Sequence, residues 1–130
     1  MITQIKKDID SNKIKGHHNF PLAKIARNIH HLKHRYIIET AKRGRLVIPC
    51  FAGVLSGVIY EDGNVAPCEV LDYSFGNIRD FGYDFKKLWL GPKAAEITKK
   101  IKQTKCFCTY ECAMDVNVAF NPKELVMAQF

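Results

Sequence analysis

The hydrophobic residues between positions 21 and 42 recur at three- and four-residue steps. They are Leu22, Ile25, Ala26, Ile29, Leu32, Tyr36 and Ile37. This spacing places them on one face of an α-helix. Pro21 suits a first turn and Gly44 suits a helix end, so the pattern predicts an amphipathic helix over about residues 21–42. Its apolar face requires a cover, either from the rest of the chain or from a neighbour.

After Arg45 the pattern changes to short runs of β-forming residues. Residues 55–60 and 65–68 flank the sequence Glu61-Asp62-Gly63-Asn64. An Asp-Gly pair between two such runs is a strong hairpin signal, because glycine and asparagine tolerate the positive φ angles of a tight turn. We therefore predict a β-hairpin here, and a further turn at Gly76-Asn77.

Helical patterns return in the second half of the chain. Asp84 is placed to cap a short helix over 85–90, and Gly91-Pro92 ends it and begins a second helix that runs towards Cys106. A short helix is also predicted around residues 2–9. The alternation of apolar and polar residues after Cys112 predicts a strand or a loop. Helices and a hairpin together predict an α+β fold.

Charge divides the chain into two parts. Residues 1–45 carry 11 basic and three acidic residues, whereas residues 46–130 carry nine basic and ten acidic residues. We therefore expect a basic leader with an amphipathic linker helix over 1–45 and a cysteine-bearing domain over 46–130. A basic leader can bind nucleic acid or an anionic surface, but a solvated helix face is the favoured interpretation.

Composition excludes several classes of protein. The 130 residues are 47% hydrophobic, which excludes wholesale disorder. The sequence contains neither a membrane-length apolar run nor a secretory signal, so we expect a cytoplasmic chain without a membrane span. Five cysteines are an odd number for a disulfide framework, and clustered cysteines in a reducing compartment more often bind metal or react.

The cysteines fall into two groups. Cys50 and Cys68 lie on either side of the predicted hairpin, which returns them to its open end. Cys106, Cys108 and Cys112 follow within seven residues of one another. Together they can supply four thiolates, enough for a tetrahedral zinc ion or an iron–sulfur cluster. Only Cys108 and Cys112 have the spacing of a zinc knuckle. The other spacings therefore favour the cluster, and zinc stays open as the alternative.

Residues 46 to about 120 resemble the SPASM/twitch extension of radical SAM enzymes. The resemblance is carried by five motifs in the family's order: Pro49-Cys50-Phe-Ala-Gly53, Val58-Ile-Tyr60-Glu-Asp-Gly63-Asn-Val-Ala-Pro-Cys68, Phe75-Gly76-Asn77-Ile78-Arg79, Phe85-Lys-Lys-Leu-Trp89 and Cys106-Phe-Cys108-Thr-Tyr-Glu-Cys112. It implies a small domain in which a β-hairpin and flanking helices surround a cysteine-ligated auxiliary 4Fe–4S cluster.

The cysteine set is smaller than that of a full SPASM extension, which carries seven and binds two clusters. Five thiols cannot supply eight ligands, so the chain resembles the one-cluster, twitch-like version. The resemblance implies Cys50, Cys68 and Cys112 as ligands, with Cys108 favoured over Cys106 as the fourth.

The Cys-x3-Cys-x2-Cys motif of radical SAM enzymes does not occur, and 130 residues are too few for a barrel of about 200. We therefore expect the chain not to be a complete radical SAM enzyme by itself. The resemblance implies the C-terminal part or an accessory of one, with the barrel supplied elsewhere. Its roles would be electron transfer or engagement of a substrate such as a peptide or protein.

Two other functions stay open. One is a zinc-stabilised, basic nucleic-acid-binding module that uses the same thiolates structurally. The other is a stand-alone electron carrier. His30 and His34, four residues apart on the predicted helix, could share a metal, although a solvated or partner-facing pair is favoured. Glu111, beside Cys112, could tune or ligate a cluster, although an exposed carboxylate is the favoured interpretation.

Overall fold

The computed structural model describes residues 2–11, 13–14, 20–104 and 106–128. These residues form six α-helices, three short strands and a 3₁₀ turn at Ile78–Phe81. The helices are α1 (Ile2–Asp10), α2 (Ala23–Arg43), α3 (Phe85–Trp89), α4 (Pro92–Gln103), α5 (Glu111–Ala119) and α6 (Pro122–Met127), and the strands are β1 (Val58–Ile59), β2 (Asn64–Ala66) and β3 (Gly76–Asn77). None of the helices in these ranges is long and apolar enough to cross a membrane. The fold is α+β, as predicted.

The three strands form one antiparallel sheet in the order β1-β2-β3. The predicted hairpin is confirmed: Gly63 has a φ of +89° at the turn, and its N–H donates to the Tyr60 carbonyl at 2.9 Å. The turn predicted at Gly76-Asn77 is wrong, because these residues are β3. The N–H of the buried Phe75 donates to the Val65 carbonyl at 2.8 Å, which draws the following residues onto the edge of β2.

Helix α2 confirms the predicted amphipathic helix, with a later start. Leu22 has a φ of +69°, so the chain turns there and the helix begins at Ala23 rather than Pro21. It ends at Gly44, in the left-handed conformation, as predicted. Its apolar face is covered by the rest of the chain, and this α2–α5 core consists of buried Ile48, Met114 and Val118 with the partly buried Ile29, Leu32, Tyr36, Ile37, Leu46 and Val47.

Helices α3 and α4 pack against the sheet. The Asp84 carboxylate accepts the N–H of Lys87 at 3.0 Å and caps α3, and Pro92 lies in the first turn of α4, both as predicted. The apolar residues of these helices contact the sheet in a second buried cluster, which we call the hairpin core. It consists of Val65, Phe75, Leu88, Ala94, Ile97 and Ile101.

The chain after Cys112 is helical, and the prediction of a strand or loop is wrong. Met114 and Val118 lie four residues apart, so a helix presents both to α2, where both are fully buried. Asn121 then caps α6 by accepting the N–H of Lys123 at 3.1 Å, with Pro122 in the first turn. Burial of the helical face against α2 outweighs the apparent alternation of Val116, Val118 and Phe120.

Candidate metal centre

Cys50 lies in a loop that is fixed at both sides of the thiol. The preceding Ile48 is buried in the α2–α5 core. The Cys50 Sγ accepts the N–H of Ala52 at 3.5 Å, and the N–H of Phe51 donates to the Asn117 Oδ1 at 2.8 Å. Asn117 is a buried residue of α5. The loop conformation at Cys50 therefore depends on a side chain from the last part of the chain.

Cys68 follows β2 and the fully buried Pro67. Its Sγ accepts the N–H of Leu71 at 3.4 Å. Backbone N–H groups that donate to a sulfur favour its thiolate form and help to set the potential of a cluster bound there. Both cysteines that flank the hairpin therefore carry a hydrogen bond suited to a thiolate ligand.

The segment around Cys106 lies against the segment that carries Cys50. The Cys106 carbonyl accepts the N–H of Leu46 at 2.8 Å. Cys50 and Cys106 both line a cavity of about 360 Å³, next to Ile48 and Ile101. The last cysteine group is thus held beside the first, although they are far apart in sequence.

Four of the thiols are electrostatic neighbours. Burial raises the pKa of the Cys50 thiol, and the nearby Cys108 and Cys68 raise this pKa further, against the opposing N–H of Ala52. Burial also raises the pKa of Cys106, with further contributions from Cys108, Cys50 and Cys68. The raised pKa values of Cys50 and Cys106 favour their protonated forms, so a metal that binds these two thiols must displace their protons.

Cys112 lies on the Cys68 side of this group. It is an exposed residue in the first turn of α5, and it lines a cavity of about 200 Å³ together with Cys68. The Tyr110 hydroxyl donates to the Glu69 carboxylate, which raises the pKa of Tyr110 to about 12. This hydrogen bond ties the residue after Cys68 to the residue before α5.

The sequence analysis missed the residues that hold the cysteine loops. Asn117, Tyr110 and Glu69 were not singled out. An asparagine within an apolar helical stretch is the one signal that points to a buried polar contact. Glu111, which we interpreted as an exposed carboxylate, is exposed but accepts from Lys33 Nζ at 3.3 Å.

The donor set fits an iron–sulfur cluster. It consists of thiols alone, drawn from the loop after Ile48, the end of β2 and the approach to α5, and two of them already accept N–H groups. In the described ranges, no three His, Cys, Asp or Glu side chains form a group able to hold a single metal ion. His30 and His34 lie on α2, outside the cysteine-bearing segments.

Comparison with known families supports the same assignment. Residues 50–113 match the family model SPASM, described as an iron–sulfur cluster-binding domain. The match starts at Cys50, includes all five cysteines and is shorter than the span of 46 to about 120 over which we noted the resemblance. Searches of curated proteins and of solved structures gave no match. Residues 50–113 therefore form a SPASM domain, a domain that binds iron–sulfur clusters.

Proposed function

We propose that this chain binds one auxiliary 4Fe–4S cluster through four of its five cysteines and works as the C-terminal part or an accessory of a radical SAM enzyme. The observation that carries the proposal is the SPASM match, which contains every cysteine of the chain. When bound, such a cluster accepts or relays one electron, or engages substrate at an open iron. The protein supplies the ligands, their hydrogen bonds and the surrounding apolar core.

Cys50, Cys68 and Cys108 are the ligands that we place in every version of the site. The resemblance implies Cys112 together with Cys50 and Cys68, and it favours Cys108 as the fourth ligand. The electrostatic proximity of Cys106 to Cys50, Cys68 and Cys108 supports Cys106 in place of Cys112. The remaining thiol would be a bystander or would approach an open iron.

The first experiment measures iron, acid-labile sulfide and zinc per chain after anaerobic purification. About four irons and four sulfides per chain are expected for one cubane cluster. One zinc without iron would overturn the proposal. It would direct attention to the zinc-stabilised, basic nucleic-acid-binding module, with an affinity for nucleic acid that falls as salt rises.

Single Cys→Ala variants identify the ligands. We expect loss of iron from Cys50→Ala, Cys68→Ala and Cys108→Ala. One of Cys106→Ala and Cys112→Ala should retain the wild-type iron content, since only four ligands are needed. Alkylation of the loaded chain, followed by mass spectrometry, should label that same spare cysteine. Full iron in the Cys50→Ala, Cys68→Ala, Cys108→Ala triple variant would contradict the assignment.

The radical SAM context rests on the occurrence of SPASM domains with radical SAM partners. The sequence has no Cys-x3-Cys-x2-Cys motif for the catalytic cluster. We therefore expect the reduced, iron-loaded chain not to cleave S-adenosylmethionine by itself, and to accelerate cleavage or turnover when the matching barrel protein is added. A reversible redox couple without any effect on a barrel protein would support the stand-alone electron carrier instead.

A further inference from the structure

Two histidine side chains on α2 point their ring nitrogens at each other. The Nε2 atoms of His30 and His34 lie 3.0 Å apart. The two residues are four apart on a regular helix, so consecutive turns hold both rings on one face. The ring centroids are 4.5 Å apart, and the ring planes are nearly perpendicular, at 86°. This contact is a hydrogen bond in which one Nε2–H donates to the other Nε2, so both nitrogens lie within reach of one metal ion once the donor ring carries its proton on Nδ1 instead.

This separation has the dimensions of a metal chelate. Metal–imidazole bonds of about 2.0–2.1 Å to two nitrogens that lie 3.0 Å apart require an N–metal–N angle of about 91–97°. That angle corresponds to neighbouring positions of a square-planar or octahedral complex, and it is smaller than the tetrahedral angle that zinc prefers. The geometry therefore favours Ni²⁺ or Cu²⁺ over Zn²⁺.

The charges around the pair are compatible with a bound cation. Partial burial of the ring, and then the charge of Lys33, lower the pKa of His30, which favours the neutral imidazole that can ligate a metal. Lys33 Nζ is paired with the carboxylates of Glu111 and Asp115, at 3.3 Å and 3.1 Å. These three groups together carry a net negative charge, so Lys33 does not leave an uncompensated positive charge beside the histidines.

We infer that His30 and His34 form a second metal site, separate from the cysteines, that chelates a divalent transition metal of the nickel or copper type. Both histidines supply Nε2, and water completes the coordination sphere. His30 is exposed, so the site is open to solvent. Binding joins two successive turns of α2 and stabilises the helix on which Lys33 contacts α5.

The test uses Ni²⁺, because Cu²⁺ oxidises thiols. The untagged, iron-loaded chain of 130 residues is dialysed to equilibrium against Ni²⁺ under anaerobic conditions, and nickel per chain is counted. His30→Gln and His34→Gln should each lower the nickel affinity by about a hundredfold, since one imidazole remains where two acted together. All variants keep the five cysteines, so nickel bound to thiols is the same background in each.

Two control variants separate chelation from histidine content. The triple variant His17→Gln, His18→Gln, His31→Gln should bind nickel as the wild type does. The double variant His34→Gln, Lys24→His keeps the number of histidines but places one at an exposed position of α2 with no other histidine three or four residues away, and it should bind as weakly as His34→Gln. Circular dichroism checks that α2 is retained.

Equal nickel binding by His30→Gln, His34→Gln and the triple control would overturn the inference. Tighter binding of Zn²⁺ than of Ni²⁺ at this site would contradict the argument from the nitrogen–nitrogen distance. Neither result bears on the cluster, whose iron and sulfide are measured separately.

Discussion

The hairpin core and the α2–α5 core differ in the polarity of what they bury. Among the described residues, the buried polar and charged side chains are Lys33, Thr40, Asn117, Asn121 and Glu124. All five lie outside residues 50–113, the SPASM match. The interior of the matched domain is apolar, apart from the thiols at its edge. The helices that flank it contain the buried hydrogen bonds and charges.

The two cores also differ in how far apart their residues lie along the sequence. The hairpin core uses residues between 65 and 101, which are close in sequence. The α2–α5 core joins residues 29–48 to residues 114–118. Helix α5 links the two regions, because Met114 and Val118 face α2 while Asn117 holds the loop of Cys50. The flanking helices are therefore part of the support of the cysteine site.

The largest expected effect comes from emptying the α2–α5 core. Met114→Ala should lower the free energy of unfolding by about 2–5 kcal/mol, since Met114 is fully buried and its removal leaves a cavity. The matched control is Met127→Ala, at a side chain that is 51% exposed, which should change stability little. Denaturant unfolding measures both. Similar losses in the two variants would show that α5 does not depend on α2.

The buried charge of Lys33 gives the next effect. The double variant Glu111→Gln, Asp115→Asn leaves the Lys33 ammonium buried without an opposing charge, at an expected cost of about 1–3 kcal/mol. Lys33→Met should cost less, because both carboxylates are more than half exposed and remain hydrated. Chemical denaturation compares the two variants. A larger loss in Lys33→Met would contradict this asymmetry.

The same network predicts a dependence on pH. Burial lowers the pKa of Lys33, but the hydrogen bonds and charges of Asp115 and Glu111 outweigh it, so the pKa is raised above the ordinary 10.5. The contribution of Lys33 to stability is therefore fully present below pH 10.5 and is lost as the pH rises through the folded-state pKa. Melting curves of the wild type and Lys33→Met should accordingly converge in that alkaline range.

The packing of Trp89 against the hairpin core is tested by adding a methyl group at Gly57. A Cβ at Gly57 would lie 2.6 Å from two ring carbons of Trp89 and 2.8 Å from the Ala66 carbonyl oxygen. Gly57→Ala should therefore cost about 1–3 kcal/mol through overpacking. Gly44→Asn is the control, because nothing lies within 4 Å of its Cβ position and asparagine tolerates its positive φ. Unchanged thermal unfolding of Gly57→Ala would show that Trp89 moves aside easily.

The smallest effect concerns the cap of α3. Asp84→Ala removes the acceptor for the Lys87 N–H and should cost about 1 kcal/mol. Asp84→Asn should recover most of this stability, since an asparagine oxygen accepts the same bond. Thermal unfolding distinguishes the two variants. Equal melting points for Asp84→Ala and wild type would show that this cap does not stabilise the fold.

Local signals predicted most of the elements. The Asp62-Gly63 turn, the Asp84 cap and the Gly44 end each act through neighbouring backbone, so sequence alone was enough. Helix α5 was missed because its burial depends on α2, about 80 residues earlier in the chain. Helix α6 could have been found, since Asn121-Pro122 is a helix-starting pair.

The candidate site was predicted in its residue types but not in its arrangement. The five cysteines and their hairpin indicated a metal centre without the structure. The hydrogen bonds of Asn117 and Tyr110 join distant segments, and no local pattern predicts such pairs. The resemblance alone favoured Cys108 over Cys106 as the fourth ligand, because the positions of the thiols depend on such long-range contacts.

The position of α5 limits where the polypeptide can be truncated without loss of the cysteine site. The family match ends at residue 113, within the first turn of this helix. A polypeptide cut at that boundary would lack Asn117, the acceptor for the Phe51 N–H, and one that begins at Cys50 would expose the apolar residues that α2 covers. Expression of the cluster-binding unit should therefore span at least residues 20–128. Boundaries taken from the family match would discard α2, Ile48 and Asn117, which support the loop of Cys50.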